Sequence, residues 1–453
     1  MKRITLLTSA LTLALASVGA NSAVSSSDAA KLGTELTPLG AVKSANADGS
    51  IPAWNGGITQ APAGYKPGMH HPDPFSGDKV LYTVTNANKD QYKDLLSPGL
   101  VKMFETYPDT YKMDVYQTRR TASYPNYVYD ATKANAVNAN LVEGGNGIKG
   151  AAVGVPFPMP ADGLEAIWNH ILRYRGVGAT RNGGQAAPTA DGDFTYIGFD
   201  ESIMIDYSRE GATAADLEKK NIVFRFKQKV TEPARLAGTA LLVHETMDQI
   251  KQPRQAWTYN SGQRRVRRAP NIAYDAPGTA SDGLRTTDDF DMYNGAPDRY
   301  TWELKGKKEM LIPYNSYKLH SDSLNYEDII KPGHIATDVV RWEKHRVWVV
   351  EANLKDGISH VYKKRVFYID EDSWQIHVTD MYDNRDELYR VGVAYGLNYY
   401  DVPTHWSTLE AFYDLNSRRY IAIGLDNQED MYDFGAKQKE RSYTPAALRR
   451  EGR

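Results

Sequence analysis

Cysteine is absent from all 453 residues. Disulfides, thiolate-bound metals and a cysteine nucleophile are therefore excluded, as is a lipoprotein anchor, which needs an acylated cysteine after its leader. Charge of one sign is missing too: 54 basic residues face 56 acidic ones, so no overall field draws polyanions. Past the N-terminus no stretch approaches the ~20 apolar residues that span a bilayer. Catalytic signatures are also lacking. There is no G-x-S-x-G elbow and no S-x-x-K followed by S-D-N, and no Walker A, Rossmann glycine pattern or HExxH pair. His70 and His71 are adjacent in a coil and share no face, and the other histidines are scattered, so no metal ligand set is assigned. No cofactor and no catalytic residue follows.

What is present begins with a leader. Lys2 and Arg3 precede an uncharged, apolar run from Ile4 to Ala20, and "VGANSA" supplies small residues for cleavage. Residues 1–23 thus read as a secretory signal peptide. Export of a chain this long without a disulfide suits the periplasm of a Gram-negative bacterium, with the mature protein soluble or peripherally associated with the outer membrane. Tyrosine outnumbers phenylalanine 30 to 11. Such rings pack on one side and meet water or a polar ligand on the other.

Residues 24–75 are dense in Gly, Pro, Asn and Asp and read as an irregular segment packed on the body, pinned by Trp54 and Ile58. A helical stretch over Lys89 to Tyr107 is broken by "SPG". A second helix starts at Asp162, whose spacing to Glu165 resembles a capping box. Leu164, Ile167, Trp168, Ile171 and Leu172 follow on one face; His170 lies off that stripe and is expected in solvent. Strands come next. In "NIVFRFKQKV" (221–230) Ile222, Phe224 and Phe226 alternate with Arg225, Lys227 and Lys229. "GTALLVHETM" (238–247) and "KEMLIPYNSYKL" (308–319) behave alike, Pro313 marking an edge or bulge. Six further segments from "HRVWVVEANL" to "RYIAIG", most of them separated by short turns, form an antiparallel meander. Residues 76–453 are expected to be one α+β, mainly β domain: a strongly curved antiparallel sheet, an incomplete barrel, wrapped around a few helices.

"WTYNSGQRRVRRAP" (257–270) holds four arginines behind two aromatic rings. On a strand Arg265 and Arg267 point one way, Arg264 and Arg268 the other, a poor track for nucleic acid. Two readings remain: pairing with Asp288, Asp289 and Asp291 in "TTDDFDMYNG", for which the guanidinium fork is suited, or a docking surface for an anionic ligand or partner. The acidic run lacks the spacing and closing glutamate of an EF-hand.

Residues 28–59, the 257–277 segment and "DDFDMYNGAPDRYTWELKGKKEMLIPYN" (288–315) resemble the domain of unknown function family 1329, over nearly the whole mature chain. The resemblance implies kinship with outer-membrane lipoprotein-sorting (LolA/LolB-like) proteins, whose curved sheet is closed by helices over an apolar cavity. It also implies a periplasmic shuttle or adaptor working with an RND-type inner-membrane exporter and an outer-membrane protein, and brings no catalytic residues. The expected function is a non-enzymatic carrier or adaptor for a hydrophobic small molecule or lipid. Its cavity wall would include Trp257, Tyr259, Trp348, Val350, Phe367 and Tyr368. A secreted enzyme acting on an envelope lipid or glycan is the alternative, and a structural adaptor with a filled core is the third reading.

Overall fold

Alternation is what the strands are made of. In Lys364–Asp370, Phe367 and Ile369 enter one hydrophobic core while Tyr368 between them enters another on the opposite face. A strand apolar on both faces belongs inside a layered structure, and that is where this one lies. The computed structural model describes residues 23–269 and 272–451. The expected signal peptide falls outside them except for Ala23.

The strands are β1 (Tyr82–Val84), β2 (Met113–Tyr116), the small pair β3 (Asn140–Leu141) and β4 (Ile148–Lys149), β5 (Gly178–Ala186) and β6 (Ile197–Ile205). There follow β7 (Phe224–Val230), β8 (Ala240–Glu245), β9 (Gln255–Asn260), β10 (Arg265–Arg268) and the long β11 (Tyr300–Pro313). The C-terminal meander is β12 (Trp342–Leu354), β13 (Lys364–Asp370), β14 (Ile376–Tyr382), β15 (Leu388–Tyr399), β16 (Thr404–Asp414) and β17 (Arg419–Leu425). Helices are α1 (Ser26–Ala29), α2 (Pro98–Thr106), α3 (Asn126–Asn138), α4 (Gly163–Leu172), α5 (Ala214–Lys220), α6 (Tyr326–Ile329) and α7 (Pro445–Glu451).

Among the described residues fifteen strands share one sheet, in the order β1-β2-β12-β13-β14-β15-β16-β17-β5-β6-β7-β8-β9-β10, with β11 paired to β12. All pairs are antiparallel except β2 with β12. Two meanders, β5–β10 and β11–β17, are thus joined at one seam, where Ala422, Ile423 and Leu425 meet Ala186, Gln185 and Gly184. The sheet does not close: β1, β10 and the long β11 are its free edges. Strand twist forces so long a sheet to coil. The inner face of both halves packs into one core with α4, as Ile203, Phe224 and Val243 share it with Phe367, Ile376, Phe412 and the helix residues Ile167, Trp168 and Ile171. The meander boundaries follow the sequence pattern closely, and Pro313 ends β11, which pairs on one side only.

Helix α4 begins where expected. Asp162 caps it by accepting from the Glu165 N–H at 2.9 Å, while the Glu165 carboxylate reaches back to the Ala161 N–H at 2.7 Å. Gly163 is needed there, because a Cβ would lie 2.8 Å from the Glu303 backbone of β11. His170 corrects one expectation: it is fully buried, with Nε2 at 2.8 Å from the Asp291 carbonyl and Nδ1 at 3.0 Å from that of Trp374. The helix sits inside the sheet, so the side opposite its apolar stripe is also covered. Burial first, and Arg173 second, hold its pKa down at about 3. The 89–107 stretch is a 3₁₀ turn and α2, split at Ser97, which caps α2. In residues 24–75, Ile58 accepts from the Asn398 side chain at 3.0 Å and Trp54 Nε1 donates to the Ala122 carbonyl at 3.4 Å.

Candidate functional site

The inner face of β5–β8 is only partly filled. Side chains two apart share a face, so Phe199 and Glu201 of β6, Phe224, Phe226 and Gln228 of β7, and Leu241, Val243 and Glu245 of β8 all face a cavity of about 110 Å³. Trp406 to Glu410 of β16 and Ile423 of β17 form its other wall, and the 272–294 segment covers it with Ile272, Arg285 and Phe290. Phe290 sits 5.4 Å from Phe226, ring centre to ring centre.

Five consecutive residues of β16 can line one space because the strand is bulged. Its register with β15 skips Thr408, and a bulge re-aims side chains. Opposite it, β17 slips at Gly424, whose φ is +96° and whose place a Cβ would contest with the Thr408 carbonyl at 2.4 Å. The cavity thus lies against the seam between the two meanders.

Charged groups stand at several points of the wall, Glu201 beside Gln228 at one end of β7 and Glu245 beside Phe224 at the other, and nearly all are paired. Arg181 is bound to Glu201 and donates to the Tyr432 hydroxyl at 3.0 Å. Arg254 is bound to Glu245 and donates to the Ile272 carbonyl at 3.1 Å. Asp291 takes Arg173 at 2.6 Å and also Arg175, and accepts from Trp406 Nε1 at 3.2 Å; buried as it is, these arginines hold its carboxyl well below the usual range. Glu410 is different. Burial first, then repulsion from Asp291, push its carboxyl up to about 7, against the pull of the Ser407 hydroxyl, which donates to it at 2.9 Å, and of Arg285. Arg285 is 8% exposed and, among the described residues, has no side-chain hydrogen bond and no ion pair. Burial lowers its pKa against the attraction of Asp289 and Glu410.

The residues expected at the site are distributed otherwise. Trp348, Val350 and Phe367 lie on the inner face but belong to the filled part of the core, Trp348 stacked on Trp374. Tyr368 belongs to the opposite core. Trp257 and Tyr259 pair with Leu242 and Ala240, on the face away from Leu241 and Val243, and are covered by Tyr443 and Leu448. None of the six borders the cavity. The expected pairing of arginines with aspartates is also redistributed. Arg264, Arg265, Arg267 and Arg268 are exposed at the end strand β10, with Arg268 over the Trp257 ring. Asp288 is instead held by Arg365 at 2.5 Å and His360 at 3.0 Å, and Asp289 accepts from the Tyr362 hydroxyl at 3.0 Å. The acidic run thus latches the cavity's cover to the sheet through arginines of β13 and the 173–175 turn.

Arg181, Arg254, Arg285 and Glu410 carry no local sequence pattern that marks them as cavity residues. The Phe224–Phe226 alternation was visible, and it does mark the cavity wall. One further group, His345, Asp370 and Asp372, has the spacing of a cation site among the described residues, but Asp372 is already clasped through both oxygens by Arg120. That arrangement argues for an ion pair there.

An open antiparallel sheet, coiled around its own helix and keeping one partly apolar cavity at the seam of two meanders, defines a β-protein built around an internal pocket. The chain belongs to the family described as "Protein of unknown function (DUF1329)", whose model matches residues 83–449. It is 51% identical over 456 residues to uncharacterized protein PA3922 of Pseudomonas aeruginosa, covering 99% of each chain. Among solved structures it is similar to a putative outer membrane lipoprotein-sorting protein domain from Vibrio parahaemolyticus, with TM-score 0.43, 13% identity, and 63% of this chain and 98% of that one covered. It is also similar to a DUF1329 family protein from Desulfovibrio piger, with TM-score 0.42, 13% identity, and coverage of 60% and 92%. No helix among the described residues is long and apolar enough to cross a membrane.

Proposed function

We propose that the protein is a non-enzymatic periplasmic carrier or adaptor for a hydrophobic, lipid-like cargo, working between an RND-type exporter and an outer-membrane partner. The observation that carries this reading is the cavity walled by Phe199, Phe224, Phe226, Phe290, Leu241 and Val243. Binding sites for small molecules are concave and mainly apolar with a few placed polar groups, and this one has that composition. At about 110 Å³ the closed space is of the order that admits a single ring or a short piece of alkyl chain, since a cavity of roughly 150 Å³ holds benzene. Larger cargo requires the 272–294 cover to shift outward with Arg285 and Phe290 still facing the cargo, so loading and release are coupled to that movement. The division into a leader (1–23), an irregular segment (24–75) and a sheet domain (76–453) belongs to the same proposal. The exposed arginines of β10 are its docking surface.

Purification from the native periplasm followed by solvent extraction and mass spectrometry is the test. A stoichiometric hydrophobe, absent from a control periplasmic protein, is the expected result; a reproducibly empty protein would count against carriage. One observation favours the alternative of an envelope-lipid or glycan enzyme, the Ser407 hydroxyl beside the raised Glu410 carboxyl. Finding a cleaved lipid whose formation Ser407→Ala abolishes would move the balance to that reading.

A further inference from the structure

The polar part of the cavity lining has an arrangement that a purely apolar cargo leaves unexplained. A guanidinium buried without a partner is costly, because its desolvation is not returned by any hydrogen bond or opposite charge. Arg181 and Arg254 border the same space and each has its carboxylate, Glu201 and Glu245. Arg173 and Arg175 share Asp291. Arg285 alone among the described cavity arginines has no such partner; its Nε is buried and unbonded. Its position is built rather than accidental. It follows the turn in which Gly278 donates its N–H to the Arg285 carbonyl at 3.1 Å, and a Cβ on Gly278 would lie 3.0 to 3.1 Å from the Arg285 side chain. The glycine makes room for the guanidinium itself, whose Nε and Cζ lie against it at the cavity wall.

Resting on the carrier reading above, we propose that Arg285 receives the head of an amphiphilic ligand, a monoanionic carboxylate, while the tail lies between Phe199, Phe224, Phe226 and Phe290. A planar guanidinium meets a planar carboxylate through two parallel N–H···O bonds, and in a buried site such a contact is worth more than in water. A single charge suits the site better than a phosphate dianion. The one unpartnered cation offers one compensating charge, and Glu201, Glu410 and Asp291 around it repel a second negative charge. The Glu410 carboxyl stands beside the same space and, when protonated, is an O–H donor to the incoming carboxylate. The small closed volume also favours the smaller head.

The probes are dodecanoate, dodecanol and dodecyl phosphate, titrated at pH 7 into delipidated full-length mature protein and followed by calorimetry. Dodecanoate is expected to bind at least tenfold more tightly than dodecanol, and more tightly than dodecyl phosphate. Arg285→Met should remove the preference for dodecanoate and leave dodecanol affinity within about twofold; Arg285→Lys, which keeps the charge but not the fork, should retain part of it. Equal binding of dodecanoate and dodecanol by the unaltered protein overturns the head-group assignment and leaves the carrier reading standing. Tighter binding of dodecyl phosphate overturns the carboxylate assignment. Failure of all three to bind overturns the carrier reading and this inference with it. The comparison within the unaltered protein decides the matter even if Arg285→Met does not fold.

Discussion

At the scale of single residues, burial decides most of the chemistry. Asp380 is one of several buried carboxyls in this sheet, and burial raises it to about 6 against hydrogen bonds from Gly99, Ser97 and Tyr368. Its folded pKa therefore lies above its unfolded value of about 3.8. Between those values folded Asp380 binds more proton than unfolded Asp380, so its contribution to stability falls as pH rises through about 4 to 6 and is constant above. Asp380→Asn can still accept from the Gly99 N–H and the Tyr368 hydroxyl and can donate to Ser97. It should flatten that segment of the curve and stabilise the protein at pH 7 by up to roughly 3 kcal/mol, at about 1.4 kcal/mol per pKa unit. Urea midpoints of both proteins at pH 4, 5, 6 and 7 check this, and parallel curves would refute it. This scale was the least legible in the sequence. His170 reads as solvent-facing from its own helix alone, and Arg285 is one arginine of many in the sequence, since its lack of a partner is a property of the fold.

Elements were far more legible. The six C-terminal segments became β12 to β17 because turn-rich links separate runs of β-branched and aromatic residues. Helix α4 announced itself by cap and stripe together. Its N-cap carries its own prediction: Asp162→Ala removes the acceptor for the Glu165 N–H and should cost about 1 kcal/mol, read as a lower urea midpoint with an unchanged slope. No change in midpoint would mean that packing alone holds the helix start. What the elements did not tell was which face of each strand is filled. Trp348, Val350 and Phe367 have the large, apolar, inward-facing pattern of a cavity wall, yet they share the filled core with α4. Phe224 and Phe226 have the same local pattern and look onto empty space. The difference lies in a helix more than 50 residues upstream of β7, and periodicity does not record it.

For the whole molecule, the acidic and basic motifs that looked like partners in sequence turn out to serve different surfaces. Asp288, Asp289 and Asp291 are buried and fasten the cover, whereas Arg264, Arg265, Arg267 and Arg268 stand exposed on the end strand. Charged side chains on an edge discourage strand addition by another copy of the chain, and here they form an exposed cationic strip. Replacing all four by serine should abolish capture of envelope partners in a crosslinking pull-down from native cells while leaving the melting temperature within about 2 °C, since surface changes away from packed features are usually within about 0.5 kcal/mol. Undiminished capture would remove the strip from the docking proposal.

The seam between β17 and β5 joins residues that lie more than 200 positions apart in the chain. Contacts so distant in sequence form late, because the closure of a long loop precedes any gain from them. Walls of the cavity come from both sides of that seam, from Phe224 and Phe226 on one and from Trp406 to Glu410 and Ile423 on the other. Until the last strands have docked there is no pocket, only two half-sheets with greasy faces. Filling of the pocket therefore also reports on folding: only a chain whose two meanders have joined has a pocket to fill.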